Sequence, residues 1–239
     1  MMNTKPKASL YLIPAPLGET GFDTVFPSYN MEIINSIDYY IVEELRSARR
    51  LLRKMDIRKP IDQLTFFVYN EHSRNVREDD YLQPLLEGNP MGLLSEAGVP
   101  CIADPGNRIV ARAHQLGIQV NPLTGPSSLL LALMASGLNG QQFAFQGYLP
   151  VERPLREEQL RFYESIMKKT GQTQIFIETP YRNNHFLESV LTVCAPETRL
   201  CIAANLTTGD EYILTQSVAK WKKSKPDLHK KPAIFLLGR

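Results

Sequence analysis

The residues best suited to chemistry stand close together in the segment LLSEAGVPCIADPG, residues 93–106. Its apolar start is typical of a buried strand, and Ala97 and Gly98 in the following loop let backbone groups approach a ligand closely. Glu96 is suited to accept hydrogen bonds from ribose hydroxyls or from an ammonium group. Asp104, followed by proline, fits the N-cap of a helix. A helix cap and an exposed loop carboxylate would explain the two acids separately, but together these features favour a small-ligand site.

A second candidate segment is PLTGPSS, residues 122–128, which directly precedes the apolar run LLLALMA. Free backbone N–H groups and two serine hydroxyls gather there at a helix N-terminus, an environment that favours an anion. A cofactor carboxylate or a phosphate would suit this position. The same residues also begin many ordinary helices, so the segment is informative mainly through its place at the junction of two predicted domains.

Motifs of several other enzyme classes are absent from the chain. It has neither the GxGxxG fingerprint of dinucleotide-binding folds nor the GxxxxGK[ST] loop of P-loop enzymes. HExxH, paired CxxC and the GxSxG elbow of serine hydrolases are also missing, and the four histidines are scattered. We therefore expect no metal site.

Composition indicates a globular protein, since 43% of its 239 residues are apolar. The net charge is only +2, so nucleic-acid binding would need a local basic patch. Cys101, Cys194 and Cys201 have irregular spacing, which suits a reducing cytoplasm better than a disulfide framework or a zinc site. Neither a bilayer-spanning apolar run nor a signal-peptide core is visible. We expect a cytoplasmic protein that does not bind membranes.

The elements that must position these segments alternate between strand and helix patterns, which is typical of mostly parallel sheets. We expect an α/β protein of two domains, residues 1–122 and 123–239, with parallel or mixed sheets. The predicted strands are residues 9–13, 39–42, 64–69, 91–94, 118–121, 143–145, 173–177, 199–203, 211–214 and 233–237. The predicted helices are residues 28–36, 46–55, 74–86, 105–115, 127–136, 155–169 and 182–193.

Five segments in this order resemble the tetrapyrrole methylases, in particular the branch that methylates ribose 2′-hydroxyls of small-subunit ribosomal RNA. They are LYLIPAPLG from Leu10, LLSEAGVPCIADPG from Leu93, NPLTGPSSLLLALMASGL from Asn121, FAFQGYLP from Phe143 and IETPYR from Ile177. The resemblance implies two α/β domains with S-adenosylmethionine in the cleft between them, no metal, and a homodimer. With the two loops above it predicts these cofactor-binding residues: Pro14, Ser95, Glu96, Ala97, Gly98, Asp104, Thr124, Gly125, Ser127 and Ser128.

Two segments depart from the pattern of the RNA-methylating branch. Residues 42–46 read VEELR where that branch has AEDTR. Two acidic residues and the arginine are kept, but glutamate replaces the aspartate and leucine replaces the threonine. Residues 204–208 read ANLTT where that branch has RELTK, without the arginine, glutamate or lysine. Both departures concern the choice of substrate more than the cofactor.

A sulfonium-bound methyl group is strongly electrophilic, so the protein must chiefly align it with the acceptor. A ribose hydroxyl is a poor nucleophile, and a base or a nearby cation would assist its attack. The candidate bases are Glu43, Glu44, Glu71, His72 and Glu178. We expect the catalytic residues Glu43, Glu44, Arg46 and Glu178.

Basic residues recur along the helix predicted at residues 46–55. Arg46, Arg50 and Lys54 follow an i, i+4, i+8 spacing with Arg49 and Arg53 beside them, which suits RNA phosphates. A solvated helix face is the alternative interpretation. We expect methylation of small-subunit ribosomal RNA, with the RNA or the small subunit as partner. The alternatives are carbon methylation of a tetrapyrrole precursor and a cofactor-binding protein without transfer activity.

Overall fold

The computed structural model describes residues 8–70, 73 and 77–239. Contacts divide the chain into two compact units, one ending at Pro126 and the other running from Ser127 to Arg239. The domain organisation 1–122 and 123–239 remains our proposal, and its boundary lies a few residues before this division. Among the described residues, no helix combines the length and apolarity needed to cross a membrane.

The first unit contains a five-stranded sheet in the order β3-β2-β4-β1-β5, in which every strand pair is parallel. Its strands are β1 (Ser9–Ile13), β2 (Tyr39–Val42), β3 (Thr65–Val68), β4 (Met91–Leu94) and β5 (Gln119–Pro122). Its helices are α1 (Phe22–Val25), α2 (Ser28–Ile34), α3 (Leu45–Lys54), α4 (Glu78–Leu86) and α5 (Asn107–Gln115), with a 3₁₀ helix at Ile61–Gln63.

Burial on both faces explains the continuous apolar runs of the inner strands, because helices cover each face of a parallel sheet. One apolar cluster forms around Tyr40 and Ile34, and another around Leu10 and Ile41. A Cβ atom on Gly92 of β4 would lie 2.5 Å from Ile13 Cδ1, so a larger residue there would displace the Ile13 side chain of neighbouring β1. This rigid sheet fixes the loops that leave its carboxyl edge.

The second unit contains a mixed sheet in the order β6-β7-β10-β8-β9. Only the β6–β7 pair is parallel among the described strand pairs of this sheet. Its strands are β6 (Phe143–Gly147), β7 (Thr173–Glu178), β8 (Arg199–Ala204), β9 (Tyr212–Ser217) and β10 (Ala233–Gly238). Its helices are α6 (Ser128–Ser136), α7 (Arg153–Thr170), α8 (Asn183–Val193) and α9 (Val218–Trp221).

Four aromatic side chains lie in the largely aliphatic core of the second unit. Phe176, Phe186 and Phe235 are fully buried, and the Phe186 and Phe235 ring centroids lie 4.6 Å apart. Trp221 is also buried, and its indole N–H donates to the Leu200 carbonyl at 2.9 Å. The polar tip of the largest side chain is thereby satisfied inside an apolar core.

The α/β fold with a parallel and a mixed sheet, predicted from the sequence, is confirmed. The predicted elements are present with ends displaced by a few residues, although Arg74 at the start of one predicted helix lies outside the described residues. The prediction that Asp104 caps a helix is wrong. Gly106, with φ 122°, occupies the N-cap position of α5, and the helix begins at Asn107. The short helices α1 and α9 were not predicted, since four residues carry too little periodicity.

Candidate functional site

Loops that follow β1, β4 and β5 meet at the carboxyl edge of the parallel sheet. The Ala15 N–H donates to the Gly98 carbonyl at 2.8 Å, and the Gly98 N–H returns a bond to the Ala15 carbonyl at 3.0 Å. Gly125 packs so closely on Pro14 that a Cβ atom would come within 2.3 Å of the proline Cγ. The structure therefore brings together three separate segments that the sequence selected as cofactor-binding.

The segment around Thr124 is anchored by a residue that sequence reasoning missed. Asn30 of α2 is 1% exposed and donates from Nδ2 to the Thr124 carbonyl at 2.7 Å. Its Oδ1 atom is buried without a hydrogen-bond partner in the described part of the chain. No local motif marks Asn30, because the contact joins residues 94 positions apart. An orphaned buried acceptor beside a candidate ligand loop is a group that a bound donor can satisfy.

Carboxyl groups cluster in the same region. The Ser95 hydroxyl lies 2.9 Å from Asp104 Oδ2, and Asp104 also forms a side-chain hydrogen bond with Glu43, which follows β2. Burial raises the pKa of Asp104, and the charge of Glu96 raises it further, against the lowering effect of the bonds from Ser95 and Glu43. Two carboxyl groups can be hydrogen-bonded to each other only when one carries a proton. Asp104 and Glu43 are therefore able to share one proton, and Asp104 does not cap α5.

Backbone strain marks the loop that carries Asp104. Cys101 and Ala103 have φ values of 66° and 57°, in the left-handed region that non-glycine residues rarely adopt. Burial and the neighbouring Asp104 raise the pKa of the Cys101 thiol to about 11. The thiol is therefore protonated at neutral pH and is not suited to act as a nucleophile.

A cavity of 250 Å³ opens between the loop after β1, helix α3 and the loop after β4. Ser47 lines it and donates to Glu96 Oε1 at 2.7 Å, and Lys54 lines it and pairs with Glu19 at 2.7 Å. The lining residues are Pro16, Leu17, Gly18, Glu19, Thr20, Phe22, Ser47, Ala48, Leu51, Lys54, Ser95, Glu96 and Ala97. Three predicted cofactor-binding residues thus share a cavity that has an apolar wall and a polar rim.

Glu44 has a structural role at the start of α3. Its carboxylate accepts from the backbone N–H groups of Arg46 at 2.9 Å and Ser47 at 2.6 Å, as the N-cap of the helix. These two bonds hold the pKa of Glu44 below its ordinary value. The adjacent acids Glu43 and Glu44 consequently lie in opposite electrostatic environments.

The remaining predicted residues lie elsewhere. Glu178, at the end of β7 in the second unit, accepts from the Thr179 N–H at 2.6 Å and from Arg182 Nε at 2.9 Å. Ser127 caps α6, with its hydroxyl 3.5 Å from the Leu130 N–H, and Ser128 is the first residue of that helix. The candidate bases Glu71 and His72 lie outside the described residues. Across residues 8–70, 73 and 77–239 no cluster of acids, cysteines or histidines has the arrangement of a metal site.

Known proteins resemble the chain along most of its length. The family model of Tetrapyrrole (Corrin/Porphyrin) Methylases matches residues 31–221. Ribosomal RNA small subunit methyltransferase I of Vibrio cholerae serotype O1 is 32% identical, over 95% of this chain and 76% of that protein. The protein of that name from Escherichia coli O157:H7 is 28% identical, over 97% of the chain and 78% of its own length.

Among solved structures, that of the methyltransferase CobJ has a TM-score of 0.65 at 15% identity, covering 97% of this chain and 94% of CobJ. This likeness confirms the fold. The match of the family model over most of the chain shows more: the chain belongs to the tetrapyrrole methylase family and is a methyltransferase, whose reaction uses a methyl donor.

Proposed function

We propose that this member of the family transfers the methyl group of S-adenosylmethionine to a ribose 2′-hydroxyl of small-subunit ribosomal RNA. The names of the relatives from Vibrio cholerae and Escherichia coli support the acceptor. The observation that carries the proposal is the hydrogen-bonded pair of Asp104 and Glu43 next to the cavity. A hydroxyl must give up its proton to a base when its oxygen is methylated, whereas an electron-rich ring carbon can attack a methyl group before it loses a proton.

The residues at the carboxyl edge of the first sheet fit S-adenosylmethionine, which when bound supplies an electrophilic methyl group on a positively charged sulfonium. The carboxyl groups of Glu43, Glu96 and Asp104 make this edge favourable for a cation. The cavity wall of Leu17, Phe22 and other apolar residues suits an uncharged ring. Within the first unit the group would be held by Pro14, Ser95, Glu96, Ala97, Gly98, Asp104, Thr124 and Gly125. A role of Ser127 and Ser128 in cofactor binding stays a prediction from the sequence.

Asp104 and Glu43 would accept the proton of the acceptor hydroxyl. When both groups are ionised, the pair can accept the proton of the acceptor hydroxyl as its oxygen takes up the methyl group, and the two carboxyl groups then share that proton. The raised pKa of Asp104 makes the ionised pair a stronger base than an ordinary aspartate. Ser95 holds Asp104 in place through its hydroxyl. Of the catalytic residues predicted from sequence, Glu43 is the one we assign to proton transfer, with Asp104 as its partner.

The other predicted catalytic residues receive different roles in this proposal. Glu44 fixes the start of α3, and Glu178 pairs with Arg182 in the second unit. Arg46 faces solvent on α3 and would contact the RNA rather than the reacting atoms. The proposal also includes a homodimer, which the family resemblance implies and which sedimentation measurements would test.

A methyl-transfer assay tests the function. The purified protein is incubated with labelled S-adenosylmethionine and with small ribosomal subunits from a strain that lacks this gene. We expect label in the RNA, located by mass spectrometry on a ribose. The E43Q variant serves as the matched inactive control. Label on an added porphyrinogen instead of RNA would establish the tetrapyrrole alternative. Binding of S-adenosylmethionine without transfer to either acceptor would leave the non-catalytic alternative and overturn the proposal.

A further inference from the structure

Helix α3 presents a row of arginines to solvent. Arg46, Arg50 and Arg53 are all exposed. Their i, i+4, i+7 spacing puts them on one side of the helix, over about 10 Å of its length at roughly 1.5 Å per residue. We call these three residues the arginine face. The opposite side of the helix is anchored in the core by Ala48 and Leu52, so the arginine face has a fixed position on the unit.

Charge balance distinguishes the arginine face from other cations of the first unit. Lys54 pairs with Glu19 at 2.7 Å, Arg108 with Glu78 at 2.5 Å and Arg112 with Asp79 at 2.5 Å, and Lys59 pairs with Asp38. Arg46, Arg50 and Arg53 form no ion pair with any residue that the structure describes. Glu44, the nearest acid in sequence, accepts from backbone N–H groups and also feels the charge of Arg46, so Arg50 and Arg53 are the less compensated members of the face.

The arginine face borders the cavity of the candidate site. Ser47, Leu51 and Lys54, which line that cavity, lie about 100° around the same helix. On the other flank, the Arg49 guanidinium lies 5.5 Å from the centroid of the Phe66 ring, so its side chain is held against the protein. A polyanion bound along the arginine face would therefore pass the mouth of the cavity.

We propose that the arginine face binds the phosphates of a single RNA strand and guides the acceptor nucleotide to the cavity beside it. This inference rests on the proposed function and adds the surface that selects the acceptor. Guanidinium groups form paired hydrogen bonds with phosphate oxygens, and an unbalanced row of them favours a ligand with regularly spaced negative charges. A helix with one buried side exposes its polar residues on the other side in any case. What distinguishes the arginine face is the lack of ion pairs with described residues and its place beside the cavity.

The R50A/R53A double variant tests the inference. Both side chains are exposed, so we expect an unchanged melting temperature. Binding of small-subunit RNA, measured by fluorescence anisotropy at several salt concentrations, should weaken about tenfold, and the slope of log K against log salt should fall by about 1.4. KM for RNA should rise, while binding of S-adenosylmethionine and kcat stay at wild-type values. The charge-reversing variant R50E/R53E should weaken RNA binding further.

The matched control is R77A/R112A, which removes the same charge from two arginines that pair with Asp79, away from α3. It should keep the wild-type salt slope. An equal loss in both double variants would mean that only net charge matters and would overturn the inference. Equal RNA affinity of wild type and R50A/R53A would also overturn it. Because binding is measured without turnover, failure of methylation in the wild type would reject the proposed function separately.

Discussion

Acids shielded from solvent have different partners in the two units: Asp104 is partly buried, and Glu178 is fully buried. In the first unit, Asp104 meets another carboxyl group, Glu43, and the charge of Glu96 lies close by. In the second unit, Glu178 is 3% exposed and meets a guanidinium and a backbone N–H. Hydrogen-bond donors therefore contact one carboxylate oxygen of Glu178, whereas the carboxyl group of Asp104 faces two other acids.

Glu164 supports the same contrast. This buried residue of α7 accepts from the Ala195 N–H at 2.8 Å and from the Thr198 hydroxyl, and so connects the helix to the turn before β8. The carboxylates of Glu164 and Glu178 hold the second unit together. The Asp104–Glu43 pair lies instead next to Ser95, which lines the cavity, and in the proposed function it serves as the base. Burial of an acid therefore indicates chemistry only when its neighbours leave its charge unbalanced.

The largest effect should follow from removal of the proton-sharing pair. Both D104N and E43Q should lower methyl transfer to RNA by roughly 10²–10⁴-fold, because neither amide can accept the hydroxyl proton. Single-turnover transfer of labelled methyl groups at saturating cofactor would measure the loss. The matched control is E44Q, one residue away, which should transfer near the wild-type rate because Glu44 serves as a helix cap. A wild-type rate of methyl transfer in D104N would contradict the proposed difference between the acids of the two units.

A smaller effect, on stability rather than on rate, should follow from loss of the acid in the second unit. E178A leaves Arg182 and the Thr179 N–H without their acceptor and should lower the free energy of unfolding by about 2 kcal/mol. Urea denaturation would measure it, and S189A on neighbouring α8 offers a comparison at another buried polar residue. The folded variant should still transfer methyl groups. If E178A keeps its stability and loses its activity, Glu178 belongs to the catalytic set.

The smallest effect concerns the pH dependence of stability. The folded pKa of Asp104 is raised above its ordinary 3.8, so the folded state binds this proton more tightly than the unfolded chain. The contribution of the Asp104 proton to stability is complete below pH 3.8 and is lost as the pH rises through the folded pKa of Asp104. The D104N side chain cannot ionise, so this variant should gain stability relative to wild type as the pH rises from 3.8 to that folded pKa. Urea denaturation at several pH values would check this, and a constant difference between the two proteins would contradict it.

Much of the architecture could be predicted because it is encoded locally. The inner strands of a parallel sheet are continuous apolar runs, and the prolines and glycines that follow Ile13 and Leu94 end them in loops. The order of those loops also carried the family resemblance. Sequence alone therefore determined the fold class, the alternation of elements and most of the segments at the candidate site, including Ser95, Glu96 and Ala97 along the cavity.

Tertiary structure decided what individual side chains do. The sequence Asp-Pro-Gly favours a helix cap at Asp104, but Gly106 takes that position and Asp104 meets Glu43 from another strand end. Glu43 and Glu44 are identical in type and adjacent in sequence, and only the start of α3 distinguishes the proposed base from the helix cap. Asn30 had no local signal. The reason is the same in each case: a hydrogen-bond partner distant in the sequence sets the charge of a group, and only the folded sheet brings that partner within reach.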